Sequence, residues 1–227
     1  MEKTILLNCP LFADIEKSDL DSLLICLQAR FYDYKRDDFI FRVGEHAVNV
    51  GVVLSGSANV VQEDFWGGRT ILAHVEPGGL FGESFSCAQA QQLPVSVVAA
   101  QDSTIMLLDY RKIVKECSSA CVFHSQLIFN MLRVLAQKNI LLTKKMEHIS
   151  RRTVREKLLS FLSEQAVSDK SNKITLPFNR QELADYLCVE RSALSRELSA
   201  MQKDGLLEYR KNLFTLNSRH EITELPQ

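Results

Sequence analysis

The sequence predicts an α+β protein: an N-terminal antiparallel β-barrel of the jelly-roll (double-stranded β-helix) type, one long helix, and a C-terminal portion of short helices with a β-hairpin. Three observations lead to this prediction. Eight of the nine glycines fall between residues 44 and 82, which places the turns of the barrel there. Residues 120–146 contain neither Gly nor Pro. Residues 180–198 form two short amphipathic segments with a break between them.

The barrel is predicted from short β-rich segments among these glycines. They are "NVGVVLSG", "SANVVQEDF", "RTILAHVEPG", "VSVVAA" and "STIMLLDY". Short strands separated by turn glycines about every 8 to 12 residues are typical of a small antiparallel barrel or sandwich. The Gly-Gly pair in "FWGGRT" supplies the positive φ angles of a hairpin tip. We expect the barrel over about 30–110, inside a domain of residues 1–118 whose early helix is capped by Ser18.

The long helix is predicted over residues 120–146, inside a segment assigned to residues 119–148. Its apolar positions are Ile128, Met131, Leu132, Leu135, Ile140 and Leu142. A helix of this length spans about 40 Å and is too long to pack on a small barrel over its whole length. The broad apolar face therefore predicts a helix–helix interface in a homodimer. The alternative is a core helix of one larger domain.

The amphipathic pair has recognisable helix ends. The first helix begins at Asn179, which fits a capping pattern with Glu182. The second helix runs from Arg191 to about Lys203, and Gly205 ends it. The inward-facing positions of the two helices are Leu183, Ala184, Leu187, Leu194, Leu198 and Met201.

The segment before this pair predicts one more helix and a strand. Residues 150–166 predict the helix, with Ser150 as its cap, and "KITLPF" predicts the strand. Residues 144–227 hold 15 Lys and Arg against 12 Asp and Glu, a net charge of +3, whereas residues 1–143 have a net charge of −4. This modest asymmetry favours a nucleic-acid partner for the C-terminal portion.

The outer side of the second helix of the pair carries small hydroxyls beside arginines. Such a surface suits a helix that enters the major groove of DNA, where an arginine can donate two hydrogen bonds to guanine. The hairpin "LLEYRKNLFTL" has a basic tip, Arg210-Lys211-Asn212, that suits a phosphate backbone. These elements predict a winged helix-turn-helix over residues 149–220. The predicted DNA contacts are Arg180, Gln181, Arg191, Ser192, Ser195, Arg196, Arg210 and Lys211. The alternative is a helical hairpin whose basic residues only face water.

Several other classes of protein are excluded by pattern. No apolar run approaches the roughly 18 residues that span a bilayer, and no signal peptide is present, so we expect a cytoplasmic protein without a membrane partner. The six cysteines contain no CxxC pair, and Cys117 and Cys121 are either a redox pair or two small residues on one helix face. "GESFS" lacks the final glycine of a nucleophile elbow. The zinc-binding pattern H-E-x-x-H is absent too, because His148 has no second histidine at that spacing. We expect neither an enzyme nor a metal site.

The order of barrel, long helix and winged helix-turn-helix resembles the CRP/FNR family of bacterial transcription regulators. Two blocks carry the resemblance: "PGGLFGES" (77–84), similar to the family's barrel motif ending in Gly-Glu, and "RQELADYLCVERSALSREL" (180–198), similar to its helix-turn-helix. "LLNCPLFADI" (6–15) also looks like the family's opening segment. The resemblance implies a sequence-specific DNA-binding regulator of transcription, controlled at the barrel by a small effector or another signal. It also implies RNA polymerase as a partner.

The barrel departs from the cyclic-AMP-binding members of that family. Those members use a glutamate for the ribose hydroxyl and an Arg-Ser pair for the cyclic phosphate; here Glu83 is present, but Leu93-Pro94 stand at the Arg-Ser positions. A buried phosphate would lack its charge partner, so we do not expect tight cyclic AMP binding. The N-terminal cysteine cluster of oxygen-sensing members is absent as well. A cyclic-nucleotide-responsive regulator, or a redox or haem sensor using one of His46, His74, His124 and His148, remains the alternative.

The predicted effector pocket lies in the barrel, against the long helix around residues 123–131. Its residues are Gly82, Glu83, Ser84, Phe85, Pro94, Val95 and Ser96. They are mostly apolar, so we expect an unidentified small effector less charged than a nucleotide, and we assign no cofactor. The alternative is a barrel filled by its own side chains. On the DNA side, Ser192 replaces the family's glutamate that accepts from cytosine, which predicts an altered readout at one base pair of the half-site.

Overall fold

The computed structural model describes residues 2–114 and 123–217, with side chains from residue 5 onward. It divides into two compact units, Met1–Asn139 and Ile140–Gln227. Each unit has buried apolar clusters of its own. No helix in the described parts of the chain is long and apolar enough to cross a membrane.

In the residues that the structure describes, the first unit has eight strands, with helices before them, after them and, in one case, between β6 and β7. The strands are β1 (Arg30–Tyr34), β2 (Phe39–Phe41), β3 (Asn49–Ser55), β4 (Ala58–Glu63), β5 (Arg69–Val75), β6 (Leu80–Phe81), β7 (Ser96–Ala99) and β8 (Ser103–Asp109). The helices are α1 (Glu2–Asn8), a 3-10 turn (Pro10–Phe12), α2 (Lys17–Cys26), α3 (Glu83–Cys87), α4 (Tyr110–Val114) and α5 (Phe123–Ile149), which continues into the second unit.

The strands form two antiparallel four-stranded sheets, in the orders β1-β8-β3-β6 and β2-β7-β4-β5. Strand β3 is buried at five consecutive positions because both of its faces are covered. Phe41 and Phe81 pack edge to face inside the barrel, with ring centroids 5.3 Å apart. A Cβ at Gly51 would lie 2.0 Å from the Phe81 ring, so this close approach requires glycine. The predicted jelly-roll barrel is confirmed.

The hairpin tip predicted at "FWGGRT" joins β4 to β5. The carboxylate of Asp64 accepts hydrogen bonds from the backbone N–H groups of Trp66 (2.9 Å) and Gly68 (2.7 Å). Gly67 has a φ of 80°, the positive value that favours glycine. Phe65 and Trp66 are 94% and 88% exposed, so the tip presents two aromatic rings to solvent.

The N-terminal helices and α5 share one apolar cluster, which includes Leu11, Phe12, Leu20, Leu127, Met131 and Val134. Asn130 of α5 donates from Nδ2 to the carbonyl oxygens of Leu11 (3.0 Å) and Ala13 (2.8 Å). The prediction that Ser18 caps the early helix is wrong: α2 begins at Lys17, and Ser18 lies in its first turn. The cap position is held by Glu16, whose side chain makes no capping hydrogen bond.

The long helix predicted over 120–146 is α5, Phe123–Ile149. Residues 120–122, and with them the pair Cys117 and Cys121, lie outside the described residues. The apolar positions do not share one environment. Met131 is buried against the N-terminal helices, whereas Leu132, Ile140 and Leu142 are more than half exposed.

The second unit contains three more helices and a small sheet. Its elements are α6 (Val154–Asp169), β9 (Lys173–Thr175), α7 (Arg180–Leu187), α8 (Arg191–Lys203), β10 (Leu207–Arg210) and β11 (Leu213–Leu216), and the sheet order is β10-β11-β9. Ser150 does not cap α6, contrary to the prediction. The cap is Thr153, whose hydroxyl accepts from the Glu156 N–H while the Glu156 carboxylate accepts from the Thr153 N–H.

Helices α7 and α8 have the predicted ends and inner faces. The Asn179 side chain accepts from the N–H groups of Gln181 and Glu182, and the Glu182 carboxylate completes the capping box. Cys188 ends α7 in the left-handed region, and Gly205 follows α8 with a φ of 71°. The predicted inner positions are all buried in one cluster, namely Leu183, Ala184, Leu187, Leu194, Leu198 and Met201.

Candidate functional site

The outer face of α8 is open to solvent. Arg191, Ser192 and Arg196 are exposed, and Ser195 is half-buried. Within the described residues, neither Arg191 nor Arg196 forms an ion pair or hydrogen bond through its guanidinium group. Their five donors per side chain are therefore available to a partner that carries acceptors.

Helix α8 is fixed to α6 by a branched ion pair on its other flank. The guanidinium of Arg155 donates from Nε to Glu197 (2.5 Å) and from an Nη to Asp204 (2.7 Å). These carboxylates hold the pKa of Arg155 above its usual value. The two contacts lie a helical turn or more apart, so they restrain both the rotation and the tilt of α8.

Arg180 and Gln181, which the sequence predicts as DNA contacts, have partners inside the unit. The Arg180 guanidinium lies 4.9 Å from the centroid of the Tyr209 ring and donates to the Lys211 carbonyl at 3.1 Å. Gln181 donates from Nε2 to Asp185 at 2.7 Å. Arg180 thus connects the start of α7 to the hairpin that forms the wing.

The wing presents its two basic residues to solvent. Arg210 and Lys211 are exposed, and Lys211 occupies the turn with a φ of 57°. The third residue of the predicted basic tip, Asn212, instead donates from Nδ2 to the Leu176 carbonyl at 2.8 Å. This hydrogen bond joins the hairpin to the segment after β9 and stabilises the three-stranded sheet.

The predicted effector residues lie on two segments of the first unit. Gly82 has a φ of 81°, and a Cβ at this position would lie 2.9 Å from the Asn49 carbonyl, so glycine is required before Glu83. On the first segment Glu83 is buried, Gly82 and Phe85 are half-buried, and Ser84 is exposed. On the second, Val95 and Ser96 are buried and Pro94 is exposed.

Leu93, which the sequence comparison with the family's motif sets at the arginine position, is a buried apolar side chain. Leu93 is 4% exposed and belongs to the barrel cluster that contains Phe41, Phe81, Val97 and Ile105. Its backbone is held by hydrogen bonds to Glu45 and Gly44, both 2.8 Å long. The segment of residues 93–96 therefore contributes apolar and small polar side chains here, and no cationic one.

Sequence reasoning did not identify Lys138, the residue that contacts Glu83. The Lys138 ammonium lies 2.7 Å from Oε1 of Glu83 and donates to the Leu80 carbonyl at 2.6 Å. Oε1 also accepts from the Ser84 hydroxyl at 3.0 Å, whereas Oε2 is buried and has no partner among the described residues. A lysine between apolar stretches of a long helix was the available signal, but sequence alone gives no distance between Lys138 and Glu83.

A cavity of about 230 Å³ lies in the first unit. Its walls are Gln28, Arg30, Tyr32, Val48, Asn49, Leu107, Asp109 and Arg111. Arg111 is already paired with Asp109, which it contacts at 2.6 Å. This cavity shares no residue with the predicted effector pocket.

The four histidines considered for haem all have hydrogen-bond partners. His46 bonds the Gln91 carbonyl, His74 bonds Asn59, and His124 bonds the Lys112 carbonyl. His148 lies between Ser160 and Glu164, at 2.8 Å and 2.5 Å. Over residues 2–114 and 123–217, no three His, Cys, Asp or Glu side chains are grouped to hold a metal ion.

Two family models match the chain, one in each part. The model described as cyclic nucleotide-binding domain matches residues 32–120, and the model described as Crp-like helix-turn-helix domain matches residues 156–225. The first runs from within β1 through β8, and the second contains α7, α8 and the wing.

Curated relatives and solved structures agree with these matches. The chain is 25% identical over 214 residues to the transcriptional activator protein FnrL of Cereibacter sphaeroides, covering 88% of this chain and 82% of FnrL. It is 24% identical over 179 residues to the transcriptional activator protein FnrA of Stutzerimonas stutzeri, covering 77% and 71%.

The fold is similar to that of FixK2 from Bradyrhizobium japonicum, with a TM-score of 0.68, 22% identity, and coverage of 88% of this chain and 98% of FixK2. It is also similar to CLP, a c-di-GMP responsive global regulator of Xanthomonas campestris, with a TM-score of 0.75, 19% identity, and coverage of 89% and 100%. With a sensor-type barrel and a winged helix-turn-helix on one chain, this protein belongs to the CRP/FNR family, whose members are regulators of transcription and not enzymes.

Proposed function

We propose that this regulator reads promoter DNA with the outer face of α8 and contacts the phosphate backbone of the DNA with the wing. The observation that carries the proposal is the division of α8 into two faces. Leu194 and Leu198 are fully buried, whereas Arg191 and Arg196 are exposed and have no partner among the described residues. A rigid helix with free arginines and small hydroxyls can enter the major groove without steric hindrance.

The proposed contacts fall into two classes. Arg191 and Arg196 are assigned to base edges, with Ser192 and Ser195 beside them. Arg210 and Lys211 of the wing are assigned to phosphates, which position the protein without reading sequence. Arg180 and Gln181 contribute through the N-terminal end of α7, and Arg180 also holds the wing in place. The proposed DNA-binding domain covers residues 149–220.

We propose a homodimer that forms along α5. Members of this family bind promoter DNA as dimers. The exposed positions of α5 include a set spaced alternately by three and four residues: Phe129, Leu132, Ala136, Asn139, Thr143 and Met146. This spacing is that of a coiled-coil seam, in which two helices bury their a and d positions against each other. We call this set the α5 seam.

The proposed mechanism follows from this arrangement. A signal at the sensor domain (residues 1–118) shifts the paired dimerisation helices (119–148). The DNA-binding domains then turn about a hinge near residues 147–151, which sets the two recognition helices one DNA turn apart, about 34 Å. We place this process in the cytoplasm, with RNA polymerase as the downstream partner and the exposed Phe65–Trp66 pair as its candidate contact.

The effector is proposed to be a small molecule less charged than a nucleotide. The packing of Leu93 in the barrel cluster supports this, since a cyclic phosphate would find an isobutyl group where a guanidinium is needed. Calorimetry with cyclic AMP should show no binding at micromolar concentrations. Micromolar or tighter binding would contradict the proposed effector class and leave the DNA-binding proposal untouched.

DNA binding is tested by fluorescence anisotropy on a sequence selected from random DNA. The wild-type protein should show a steep decrease in affinity with salt, from phosphate neutralisation. Arg191→Ala or Arg196→Ala should cost about 1–3 kcal/mol on the selected site and little on random DNA. Lys211→Gln should weaken binding on both and reduce the salt slope by about one. Equal losses of affinity for the selected site and for random DNA in all three variants would contradict the assignment of the base contacts to α8.

A further inference from the structure

The buried carboxylate of Glu83 is the polar centre of the barrel end that faces α5. Its side chain is 2% exposed, and its counter-charge comes from Lys138, whose side chain is 30% exposed. A carboxylate this deeply buried is strongly destabilising unless a cation or several donors accompany it. Lys138 thus supplies the positive charge beside this buried carboxyl group.

The Lys138 ammonium is held by two acceptors, in the way that a protein would hold the ammonium group of a bound ligand. It contacts Oε1 of Glu83 at 2.7 Å and donates to the Leu80 carbonyl at 2.6 Å. Two acceptors from different elements, a buried carboxylate and a strand carbonyl, therefore converge on one primary ammonium. The aliphatic stem of the lysine crosses from α5 to this end of the barrel.

One acceptor of this site is unused. Oε2 of Glu83 is buried and has no hydrogen-bond partner within the described residues. A buried carboxylate oxygen without a donor marks a place where a further donor would be stabilised. The side chain of Glu83 therefore has one oxygen bound to the Lys138 ammonium and one buried oxygen without a donor among the described residues.

We propose that Glu83 and the Leu80 carbonyl form a primary-ammonium site, and that Lys138 is its resident, tethered ligand. An effector that enters this end of the barrel displaces the Lys138 ammonium from Glu83 and releases α5 from the barrel. Such an effector brings a primary ammonium group, and not an anionic group. This inference rests on the proposed function for its regulatory meaning, but the ammonium site itself is independent of DNA binding.

The site is tested by chemical rescue of Lys138→Ala, which removes the tethered amine and leaves room for a free one. Lys138→Ala should unfold at a lower temperature than the wild type. Propylammonium should then raise its Tm by about 3–6 °C at a tenfold excess over Kd, by mass action on the folded state. Propionate, of the same size and opposite charge, should give no rise. The wild type and Lys17→Ala, a variant of an exposed lysine on α2, should respond to neither.

A double-mutant cycle covers the case in which Lys138→Ala does not fold. Glu83→Gln, Lys138→Met and the double variant are compared by Tm, and the double variant should be more stable than Lys138→Met because the uncompensated carboxylate is gone. Propylammonium should not stabilise any variant that carries Glu83→Gln. Additive effects in the cycle, or equal stabilisation of Lys138→Ala by propylammonium and propionate, would overturn the proposal. Loss of DNA binding with intact rescue would count against the proposed function alone.

Discussion

Arg180 stacks on Tyr209: its guanidinium carbon lies 4.9 Å from the ring centroid, and an Nη donates to the carbonyl of Lys211. These contacts join the first turn of α7 to strand β10 and to the turn of the wing. Partial burial of the Arg180 guanidinium lowers its pKa, although the group stays charged. A residue that the sequence marks as a DNA contact therefore also sets where the basic wing lies.

Arg180→Ala should loosen the wing. We expect a loss of about 1 kcal/mol in the free energy of unfolding, from the lost cation–π contact. Because we propose that the wing contacts phosphates, DNA affinity should fall to a similar degree on selected and random sequences. Urea denaturation and anisotropy measure the two effects. Arg180→Lys keeps the charge and loses the planar stacking, so it should behave like the alanine variant if stacking matters and like the wild type if only charge does.

Ser192 should make this protein's half-site differ at one base pair from the TGTGA-type half-site that the family resemblance implies. Selection from random DNA with the wild type should return a half-site altered or relaxed at one base pair, because the short hydroxyl of Ser192 can both donate and accept and so selects cytosine less strictly than the glutamate that the family resemblance implies at this position. Ser192→Glu should restore a preference worth about 1–3 kcal/mol at that position. Ser199→Glu, on an exposed residue of the same helix, controls for added charge and should only weaken binding. An unaltered TGTGA-type half-site from the wild type would refute this role.

The α5 seam should carry the dimer. Leu132 is 62% exposed within one chain, and Leu132→Lys would place a charge opposite its own copy. We expect the dimer Kd to rise by roughly 100-fold, from the lost burial of two leucines and the added repulsion. Analytical ultracentrifugation measures this directly. Gln137→Lys, exposed on the same helix but off the seam, should leave the dimer intact. Equal effects of the two variants would contradict the seam.

The helix pair α7–α8 was predictable because its signals are local. The capping box of Asn179 and Glu182 depends on residues three apart, and the burial of Leu194 and Leu198 follows from the helical repeat. The cap of α6 shows the limit of such signals. Ser150 and Thr153 are both capping residue types, and the choice is made by Glu156, which stands three residues after Thr153 and closes its capping box.

The proposed effector site could be predicted from the sequence only in part. Glu83 was identifiable from the Gly-Glu block, but its partner Lys138 is far away in the sequence, and no periodicity links the two. The environment of the apolar residues of α5 was not predictable either, because some of them are buried and others are exposed. Met131 packs under the N-terminal helices while Leu132, its neighbour, is exposed. Which apolar residue meets which surface depends on tertiary contacts that a one-dimensional pattern does not contain.

The last prediction concerns Lys145, a buried lysine in the second unit. Its ammonium lies 4.1 Å from the centroid of the Tyr186 ring, and burial lowers its pKa to about 8. Below pH 8 the folded protein holds a charged amine in a poorly solvated place, which destabilises it. Between about pH 8 and 10.5 the folded state is deprotonated while the unfolded state is not, so stability rises with pH.

Lys145→Met should therefore raise the free energy of unfolding at pH 7 by roughly 1–3 kcal/mol, less the contacts that the ammonium makes in the folded state, among them the cation–π contact with Tyr186. The advantage over the wild type should shrink as pH rises from 8 towards about 9.5, where Tyr186, whose burial raises its pKa to about 12, still keeps its proton in the folded state. Urea denaturation across this range measures the difference. Lys203→Met, on an exposed lysine, should give a small difference that does not change with pH. A difference for Lys145→Met that is constant from pH 7 to about 9.5 would show that the amine is not desolvated in the folded state.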